Sequence, residues 1–366
     1  MTIISATIAR MERNPAAETL MLAVDARVVA QDTRGIGRYE RAVLRRLIAR
    51  DDVDLTLLHY GPFPFRYRRA LARALGSDRF RVASRVSDRQ DVVWHPANGT
   101  FFPSKKPSVV TIHDAVPFRY PNPDLQARAR EQDPFLESTR SATHFIAVSE
   151  FGKSEIRDVF EIPPERITVI YHGVEMSFSP GVAEPLPPAI AAGTYLLFVG
   201  DATEPRKNFP MLYEACRRVW PAEDGPPIAI AGPRAPELPG IVRAGEVGDD
   251  LEGADNDRMR ALYRGAIALG LVSYHETFGM PAVEAMACGT PVLASRASCL
   301  PEICGDAALF SQPGDADAWA HVLQRVVRDA QLREDLRGRG LARAKGFDWD
   351  RSAAAHLELF RAIARS

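Results

Sequence analysis

Residues 266 to 295 read AIALGLVSYHETFGMPAVEAMACGTPVLAS. The apolar run AIALGLVSY is typical of a buried strand, and Pro281 suits the first turn of a helix that AVEAMA continues. PVLAS then has the composition of a second buried strand. A strand, a helix and a strand in this order predict two parallel strands joined by a crossover helix, which is the unit from which α/β domains are built.

The same alternation extends along most of the chain. Further strands are predicted at LAVDARVVA, VDLTLLHY, DVVWHP, SVVTIHD, HFIAVS, ITVIYHGV, TYLLFVG, PIAIAGP, GEVG and AALF. Between the two halves, SPGVAEPLPPAIAAG is rich in Pro and Ala, as expected of a linker. Because 366 residues exceed what one hydrophobic core usually holds, we expect two doubly wound α/β domains. The predicted boundaries are residues 1–183, residues 184–347 and a terminal helix, 348–366, that returns to the first domain.

Composition narrows the class of protein. The chain has 46 Lys and Arg against 47 Asp and Glu, which gives no reason to expect a nucleic-acid partner. Residues 1–180 hold 26 basic and 22 acidic side chains, so the first half is the one expected to meet an anionic surface. Residues 1–18 lack the apolar core of a signal peptide, and no apolar run approaches the roughly 20 residues of a membrane-spanning helix. We therefore expect a cytoplasmic protein.

The spacing of the cysteines is also consistent with a cytoplasmic protein. The cysteines lack the paired CxxC spacing of zinc sites and suggest no disulfide framework; they are Cys216, Cys288, Cys299 and Cys304. Reduced thiols in a cytosolic protein are the expectation.

Two glutamates flank the start of the helix in the opening stretch. Glu276 falls in the loop, and Glu284 falls about one turn inside the helix. Between them, the backbone N–H groups of residues 277–280 and the positive helix end suit an anion such as a phosphate. In a ligand that carries a polyol on each side of a diphosphate, hydroxyl groups of the two polyols would donate hydrogen bonds to the two carboxylates. The alternative is that both glutamates are ordinary solvated charges near a helix end.

Two other strand ends carry polar motifs. In FVGDATEPRKN, residues 198–208, Arg206 and Lys207 can balance the charge of a diphosphate, or they are solvated loop cations. In TIHDAVPF, His113 and Asp114 follow a strand, and Asp114 either orients the histidine or caps the next turn.

The turn TRGIGRYE places Gly35 and Gly37 between the first strand and its helix. The third glycine of the dinucleotide-binding fingerprint is absent because Glu40 stands in its place. This turn either approaches a phosphate or serves the fold alone. The incomplete fingerprint disfavours an NAD-dependent oxidoreductase.

No metal site is predicted. The DxD spacings at residues 255–257, 315–317 and 348–350 each precede a helical stretch, which favours helix caps.

Residues 60–85 mix Phe63, Phe65 and Tyr67 with seven arginines. They form either a solvated helix face or a surface that docks on anionic lipid.

Glu276, Thr277, Phe278 and Gly279, followed by Glu284, resemble the E-x7-E motif of family-4 retaining glycosyltransferases with the GT-B fold. The next segment, GTPVLASRASCLPEICGDAALF, also resembles that family, and the resemblance extends from about residue 20 to the end. It implies two Rossmann-like doubly wound domains that face each other across a cleft. The donor, a nucleotide diphosphate sugar, would bind mainly to the second domain, with GEVG near its base and with no metal or other cofactor.

The resemblance also implies roles for single residues. Glu276 would lie by the transferred sugar, Glu284 would bind the ribose, and the amides of Thr277, Phe278, Gly279 and Met280 would bind phosphate. Lys207 matches the family lysine, whereas Asp201 stands where the family often has arginine, so Arg206 is expected to replace it. Gly35 and Gly37 match the glycine loop that faces the donor diphosphate, and His113 matches a histidine beside the donor sugar. The expected catalytic residues are therefore His113, Lys207 and Glu276.

RGIGRY, HDAVPFRYP and EPRKN together resemble bacterial mannosyl- or rhamnosyltransferases of polysaccharide assembly. The resemblance implies transfer of mannose from GDP-mannose to a hydroxyl of a glycan or lipid-linked saccharide. UDP- and dTDP-linked donors, and a non-catalytic sensor of nucleotide sugars, stay open as alternatives.

Overall fold

Two parallel β-sheets organise the chain. The computed structural model describes residues 19–32, 35–61, 63–222, 224–245 and 254–366, apart from the side chains of residues 254–256. The strands of the first sheet are β1 (Leu20–Asp25), β2 (Val53–Leu58), β3 (Arg81–Ala83), β4 (Val92–His95), β5 (Ser108–Ile112), β6 (His144–Ala147) and β7 (Ile167–Val169). Within the described ranges their order is β3-β2-β1-β4-β5-β6-β7, with parallel pairings.

The second sheet repeats this design. Its strands are β8 (Tyr195–Val199), β9 (Ile228–Ala231), β10 (Ile241–Gly245), β11 (Ala266–Leu271), β12 (Val292–Ser295) and β13 (Ala308–Ser311). Their order in the described part of the chain is β10-β9-β8-β11-β12-β13, again parallel. The strand order reverses between β1 and β4 and between β8 and β11. Doubly wound sheets bind ligands at such switch points, beyond the carboxyl ends of the strands.

Helices cover the sheets and confirm the doubly wound class. They are α1 (Gly35–Ile48), α2 (Arg68–Leu75), α3 (Val116–Arg119), α4 (Leu125–Ser141), α5 (Glu150–Phe160), α6 (Phe209–Val219), α7 (Ala254–Gly265), α8 (Met280–Cys288), α9 (Leu300–Cys304), α10 (Ala316–Arg328), α11 (Ala330–Ala344) and α12 (Trp349–Ala364). Alternate residues of β8 pack into different cores: Tyr195 and Leu197 into one, Leu196 and Phe198 into another. Both faces of the second sheet are therefore buried, which explains why its strands read as continuous apolar runs.

The first predicted strand is too long. LAVDARVVA predicts a strand through residue 30, but β1 ends at Asp25. The Asp25 carboxylate accepts hydrogen bonds from the backbone N–H of Arg27 at 3.2 Å and from its Nε at 2.8 Å, which turns the chain. Val29 is fully buried although it lies outside the strand, so the sequence continues to look apolar.

Other differences concern short strands. ITVIYHGV forms a strand only over Ile167–Val169, and the half-exposed strand Arg81–Ala83 was not predicted. Within the described residues, β10 occupies Ile241–Gly245 and overlaps the predicted strand GEVG at Gly245. Residues 246–248 lie outside the described residues.

The last helix packs against the first sheet. Residues Trp349, Ala353, Leu357 and Phe360 of α12 join the core formed by β1, β2, β4 and α1. Inside this core, Tyr39 Oη lies 2.6 Å from His356 Nε2 and 3.0 Å from Thr111 Oγ1. His356 Nδ1 lies 2.7 Å from the Ser352 carbonyl and so donates to it, which leaves Nε2 to accept from Tyr39. Burial lowers the pKa of His356 to about 4, consistent with this neutral ring.

Candidate active site

Glu276 is the centre of a buried charged cluster. It lies in the loop between β11 and α8, as the sequence predicts, with 7% of its surface exposed. Its Oε1 accepts hydrogen bonds from Lys207 Nζ at 2.7 Å and Ser273 Oγ at 2.8 Å. Burial raises the pKa of this carboxyl, but the charges of Lys207 and Arg206 outweigh burial and hold the pKa below its usual value. Glu276 is therefore an ionised hydrogen-bond acceptor at neutral pH.

The two predicted cations lie on a 3₁₀ turn, Pro205–Lys207, that follows β8. Arg206 pairs with Glu204. Arg206 Nη1 also donates to the carbonyl of His275 at 3.2 Å and lies 3.9 Å from Glu276 Oε2. β8 and β11 flank the switch point of the second sheet, so the cations and Glu276 meet where a ligand is expected.

Asp201, which stands where the family often has arginine, faces a different partner. Arg234 Nε donates to Asp201 Oδ2 at 2.8 Å, and the Thr203 backbone N–H donates to Oδ1 at 2.9 Å. The Asp201 carboxylate is thus occupied by its own loop. Arg206 is the second cation beside Glu276, and its role in place of the family arginine stays a prediction.

Glu284 lies one turn inside α8 and is almost fully buried. Its Oε2 accepts a hydrogen bond from Tyr263 Oη at 2.9 Å, and its Oε1 accepts one from Arg38 Nη2 at 2.5 Å. Arg38 belongs to α1, so this ion pair joins the two halves of the chain. Neither Arg38 nor Tyr263 was predicted from the sequence. The available signal for Arg38 was its place directly after Gly37 in the GIGRY turn.

The loop before α8 offers open backbone donors. The N–H groups of Thr277, Phe278, Gly279 and Met280 form no hydrogen bond within the described residues. Gly279 caps the helix with φ at 76°, and an added Cβ there would lie 2.9 Å from Leu300 Cδ2. The loop therefore needs glycine at this position, and its open amides together with the helix dipole attract an anion.

Gly35 and Gly37 lie in the first turn of α1 rather than in the preceding turn. An added Cβ on Gly37 would lie 1.8 Å from the carbonyl oxygen of Asp32, so this glycine is required by local packing. An added Cβ on Gly35 would meet nothing within 4 Å among the described atoms. Of the two, Gly35 is the one beside open space.

His113 directly follows β5 and is buried. Its Nε2 lies 2.7 Å from the carbonyl of Pro96 and donates to it, which leaves Nδ1 as an acceptor. Burial lowers the pKa of His113, so the ring is neutral at pH 7. The ring stacks on His172, with centroids 5.5 Å apart, and His172 in turn contacts Phe278 at 4.6 Å. A ladder of rings therefore connects His113 to the open-amide loop.

The two sheets also meet through polar contacts around this loop. Ser149 Oγ donates to the Thr277 carbonyl at 2.6 Å, and it also caps α5 by accepting from the Gly152 N–H at 2.9 Å. Glu302 of α9 accepts hydrogen bonds from the backbone N–H groups of Glu150 at 2.8 Å and of the following residue at 3.0 Å. The N-terminus of α5 is thus held by groups of the second half.

The DxD motifs at residues 315–317 and 348–350 cap helices, as predicted, and Asp114 caps the turn before α3. Asp114 Oδ1 accepts from the Val116 N–H at 3.0 Å. Asp315 and Asp348 accept from N–H groups in the first turns of α10 and α12. The side chain of Asp255 lies outside the described atoms. In the part of the chain that the structure describes, no group of three or more His, Cys, Asp or Glu is placed to hold a metal ion.

The aromatic and basic segment 60–85 lies at the surface. Phe63 and Phe65 are 51% and 63% exposed, and the Arg66 guanidinium lies 5.0 Å from the Phe63 ring centroid. α2 buries Leu71 and Leu75 and leaves its arginines outside. Among the described helices, none combines the length and the hydropathy that crossing a bilayer requires.

Two family models match this chain. The model described as Glycosyltransferase Family 4 matches residues 16–178, and the model described as Glycosyl transferases group 1 matches residues 189–343. O-antigen chain mannosyltransferase B of Escherichia coli is 30% identical over 369 residues, which cover 90% of this chain and 96% of that protein. O-antigen chain mannosyltransferase RfbU of Salmonella typhimurium is 28% identical over 61% of this chain and 62% of its own length.

Solved structures share the architecture. A sucrose-phosphate synthase from Thermosynechococcus elongatus aligns over 95% of this chain and 100% of its own, with a TM-score of 0.67 and 20% identity. HepE of Anabaena, crystallised with UDP and glucose, aligns over 93% of this chain and 99% of its own, with a TM-score of 0.64 and 16% identity. From the family models, the Escherichia coli relative and the two facing sheets, the chain belongs to the family-4 glycosyltransferases and has the GT-B fold, with two Rossmann-like domains across a cleft.

Proposed function

We propose that this protein is a retaining hexosyltransferase that moves a sugar from a nucleotide diphosphate sugar to a hydroxyl of an acceptor. The observation that carries the proposal is the ion pair of Lys207 and Glu276, 2.7 Å apart, beside the open amides of residues 277–280. An ionised carboxylate accepts hydrogen bonds from sugar hydroxyls, whereas a lysine and open amides at a helix N-terminus bind phosphate. The cleft therefore offers partners for both parts of a nucleotide sugar.

The donor diphosphate lies at the N-terminus of α8 in this proposal. As the bond from the sugar C1 to the phosphate oxygen breaks, negative charge gathers on the leaving diphosphate. Lys207, Arg206 and the amides of residues 277–280 stabilise this charge, and Gly35 leaves room for the phosphates on the opposite side of the cleft. Because these groups are fixed parts of the protein, the reaction requires no metal ion.

The two glutamates bind the polyols that flank the diphosphate. Glu276 accepts from hydroxyls of the transferred sugar, and Glu284 accepts from the ribose. His113 is neutral, and its Nδ1 accepts from a hydroxyl of the donor sugar. The stretch GEVG, proposed to lie near the base, falls mostly outside the described residues.

Retention follows from attack on the face that the diphosphate leaves. The acceptor hydroxyl forms the new bond to C1 while the bond from C1 to phosphate breaks. The hydroxyl proton passes to the departing phosphate oxygen, so atoms and charges balance without a nucleophile on the opposite face. A closed cleft limits the competing reaction with water.

The proposed donor is GDP-mannose, and UDP- or dTDP-linked sugars are the alternatives. Support comes from the names of two relatives, both O-antigen chain mannosyltransferases, and from the RGIGRY and EPRKN stretches. By analogy, the acceptor is a glycan or lipid-linked saccharide in polysaccharide biosynthesis. It enters from the N-terminal domain, where Asp25 and Arg27 are paired at the carboxyl end of β1 and the Arg27 guanidinium lies 3.4 Å from the Phe101 ring centroid.

We propose a cytoplasmic location, with peripheral attachment to an anionic membrane through the exposed aromatic and basic segment 60–85. The proposed domains are residues 1–183 and 184–347, with residues 348–366 added to the first. Support for this assignment comes from the shared core of α12 and the first sheet.

The first experiment titrates the purified protein with GDP-, UDP- and dTDP-sugars while thermal stability and slow release of the nucleotide are followed together. We expect one donor to raise the melting temperature and to be hydrolysed slowly. Stabilisation without any turnover, even with acceptor glycans present, would instead support a sensor of nucleotide sugars. No response to any donor would contradict the proposal.

A further inference from the structure

Arg38 is a residue of the N-terminal half that contacts the proposed donor site. It lies in the first turn of α1, and its Nη2 donates to Glu284 Oε1 across the cleft. Its side chain is 28% exposed, whereas the Glu284 side chain is 4% exposed. The guanidinium also lies 5.7 Å from the ring centroid of Phe178. These contacts hold the head group of Arg38 beside Glu284, one turn inside α8.

The position brings Arg38 close to the open amides. Glu284 follows Met280 by four residues, about 6 Å along a helix axis. A guanidinium on Glu284 therefore lies about one helical turn from the N-terminus of α8. Nη2 alone among the Arg38 nitrogens donates a hydrogen bond to a described residue, so Nε and Nη1 keep N–H groups for another acceptor. A guanidinium presents five such donors in a plane and can join two anions at once.

The Arg38 guanidinium remains a cation beside the proposed position of the diphosphate. The carboxylate of Glu284 raises the pKa of Arg38 above its usual value, against the effect of burial, so the guanidinium stays charged inside the cleft. One buried carboxylate neutralises one guanidinium. A diphosphate at the N-terminus of α8 brings further negative charge, which Lys207, already paired with Glu276, only partly balances.

We propose that Arg38 is a donor-binding residue of the N-terminal domain, which keeps its contact with Glu284 and binds the donor diphosphate through its remaining N–H groups. The inference rests on the proposed function, because it takes the phosphate to lie at the open amides. It adds a specific phosphate ligand from the first domain and explains how the donor draws the two domains together. Lysine cannot replace this bridge, since it carries a point charge on a shorter reach.

The test compares nucleoside diphosphates with their nucleosides by calorimetric titration of the full-length protein. The binding affinities of GDP, UDP and dTDP are compared with those of guanosine, uridine and thymidine, respectively. Each affinity is measured for wild type, Arg38→Ala and Arg38→Lys. Arg46→Ala is the matched control, because Arg46 lies on the same helix and pairs with the exposed Asp350. Near-ultraviolet circular dichroism verifies that each variant is folded.

We expect Arg38→Ala to weaken binding of the preferred nucleoside diphosphate about tenfold to hundredfold. Arg38→Lys should fall between that variant and wild type, and Arg46→Ala should bind as wild type does. The decisive comparison uses a Glu284→Gln background, in which the buried carboxylate no longer needs a cation. In this background, Arg38→Ala should still weaken binding of the nucleoside diphosphate at least tenfold and leave the affinity for the nucleoside unchanged.

Two results would overturn the inference alone. Equal diphosphate affinity with and without Arg38 in the Glu284→Gln background would mean that Arg38 acts only through Glu284. If Arg38→Ala bound both the nucleoside and the nucleoside diphosphate more tightly than wild type, the ion pair of Arg38 and Glu284 would merely block the site. Failure of the wild-type protein to bind any nucleoside diphosphate would contradict the proposed function itself, and the inference with it.

Discussion

Lys207 neutralises the buried carboxylate of Glu276, with which it shares a 2.7 Å contact. Replacing Lys207 with Met leaves that carboxylate with Ser273 and the more distant Arg206, whose Nη1 is 3.9 Å away. We expect Lys207→Met to lower kcat for sugar transfer at least about a hundredfold, because a charged donor to the leaving group is lost. We also expect a loss of about 3 kcal/mol in the free energy of unfolding at pH 7. Steady-state assays and urea denaturation measure the two effects.

The stability loss should depend on pH. In wild type, the pKa of Glu276 is lowered, so its ionised form contributes stability above the unfolded pKa, and this is lost as pH falls through the folded pKa. In Lys207→Met, burial dominates and raises the pKa, so the variant loses stability as pH rises from about 4 towards neutrality. The deficit should therefore be larger at pH 7 than at pH 5. Arg234→Met, which removes a cation from the neighbouring loop, should leave kcat near wild type. If the stability loss of Lys207→Met did not change with pH, the proposed coupling between Lys207 and the ionisation of Glu276 would be contradicted.

Residues within one motif were easier to predict than their partners in space. Glu276 and Glu284 were assigned to a loop and a helix because the strand, Gly279 and Pro281 determine the local path of the chain. The contact of Glu284 with Arg38 was missed because the two residues are 246 positions apart, and no local pattern encodes a contact between two domains. The role of Ser149 as a helix cap was predictable for the same local reason, whereas its contact with the Thr277 carbonyl was not.

At the scale of the element, α8 offers a matched pair of glycines. Gly279 precedes the helix with φ at 76°, and Gly289 follows it with φ at 80°. A Cβ in this left-handed conformation costs roughly 1–2 kcal/mol, so Gly279→Ala and Gly289→Ala should both lower the melting temperature by a few degrees. Gly279→Ala also presses on Leu300 and shifts the open amides, so it alone should weaken nucleotide binding. Calorimetry on both variants tests this, and equal affinity in the two would contradict the proposed role of the loop.

Among the elements, strands buried on both faces were predicted well, and short, partly exposed strands were predicted poorly. β8, β11 and β12 are buried on both faces, so hydrophobicity alone reveals them. β1 was overextended because the buried Val29 lies in a turn, where tertiary packing and not strand pairing demands an apolar residue. β3 was missed because three half-exposed residues carry no period that distinguishes them from a loop.

For the whole molecule, the order of strands and helices predicted two doubly wound sheets, but it did not predict how the sheets meet. Contacts between the halves depend on single polar groups, such as Glu302 on the N-terminus of α5 and Arg38 on Glu284. Both contacts surround the proposed donor site. Donor binding and domain closure are therefore expected to be coupled, since the same groups take part in each.

The asymmetric surface of the molecule leads to a prediction about membranes. Segment 60–85 presents Phe63 and Phe65 beside several arginines, so wild type should co-sediment with anionic vesicles at low salt and be released as salt screens the charges. Phe63→Ser with Phe65→Ser should weaken this binding at least about tenfold, given the apolar area removed. Leu125→Ser is the control, because Leu125 is 72% exposed on α4, outside this segment. An unchanged soluble fraction of wild type with anionic vesicles at low salt would rule out the membrane surface and leave the segment as a solvated face.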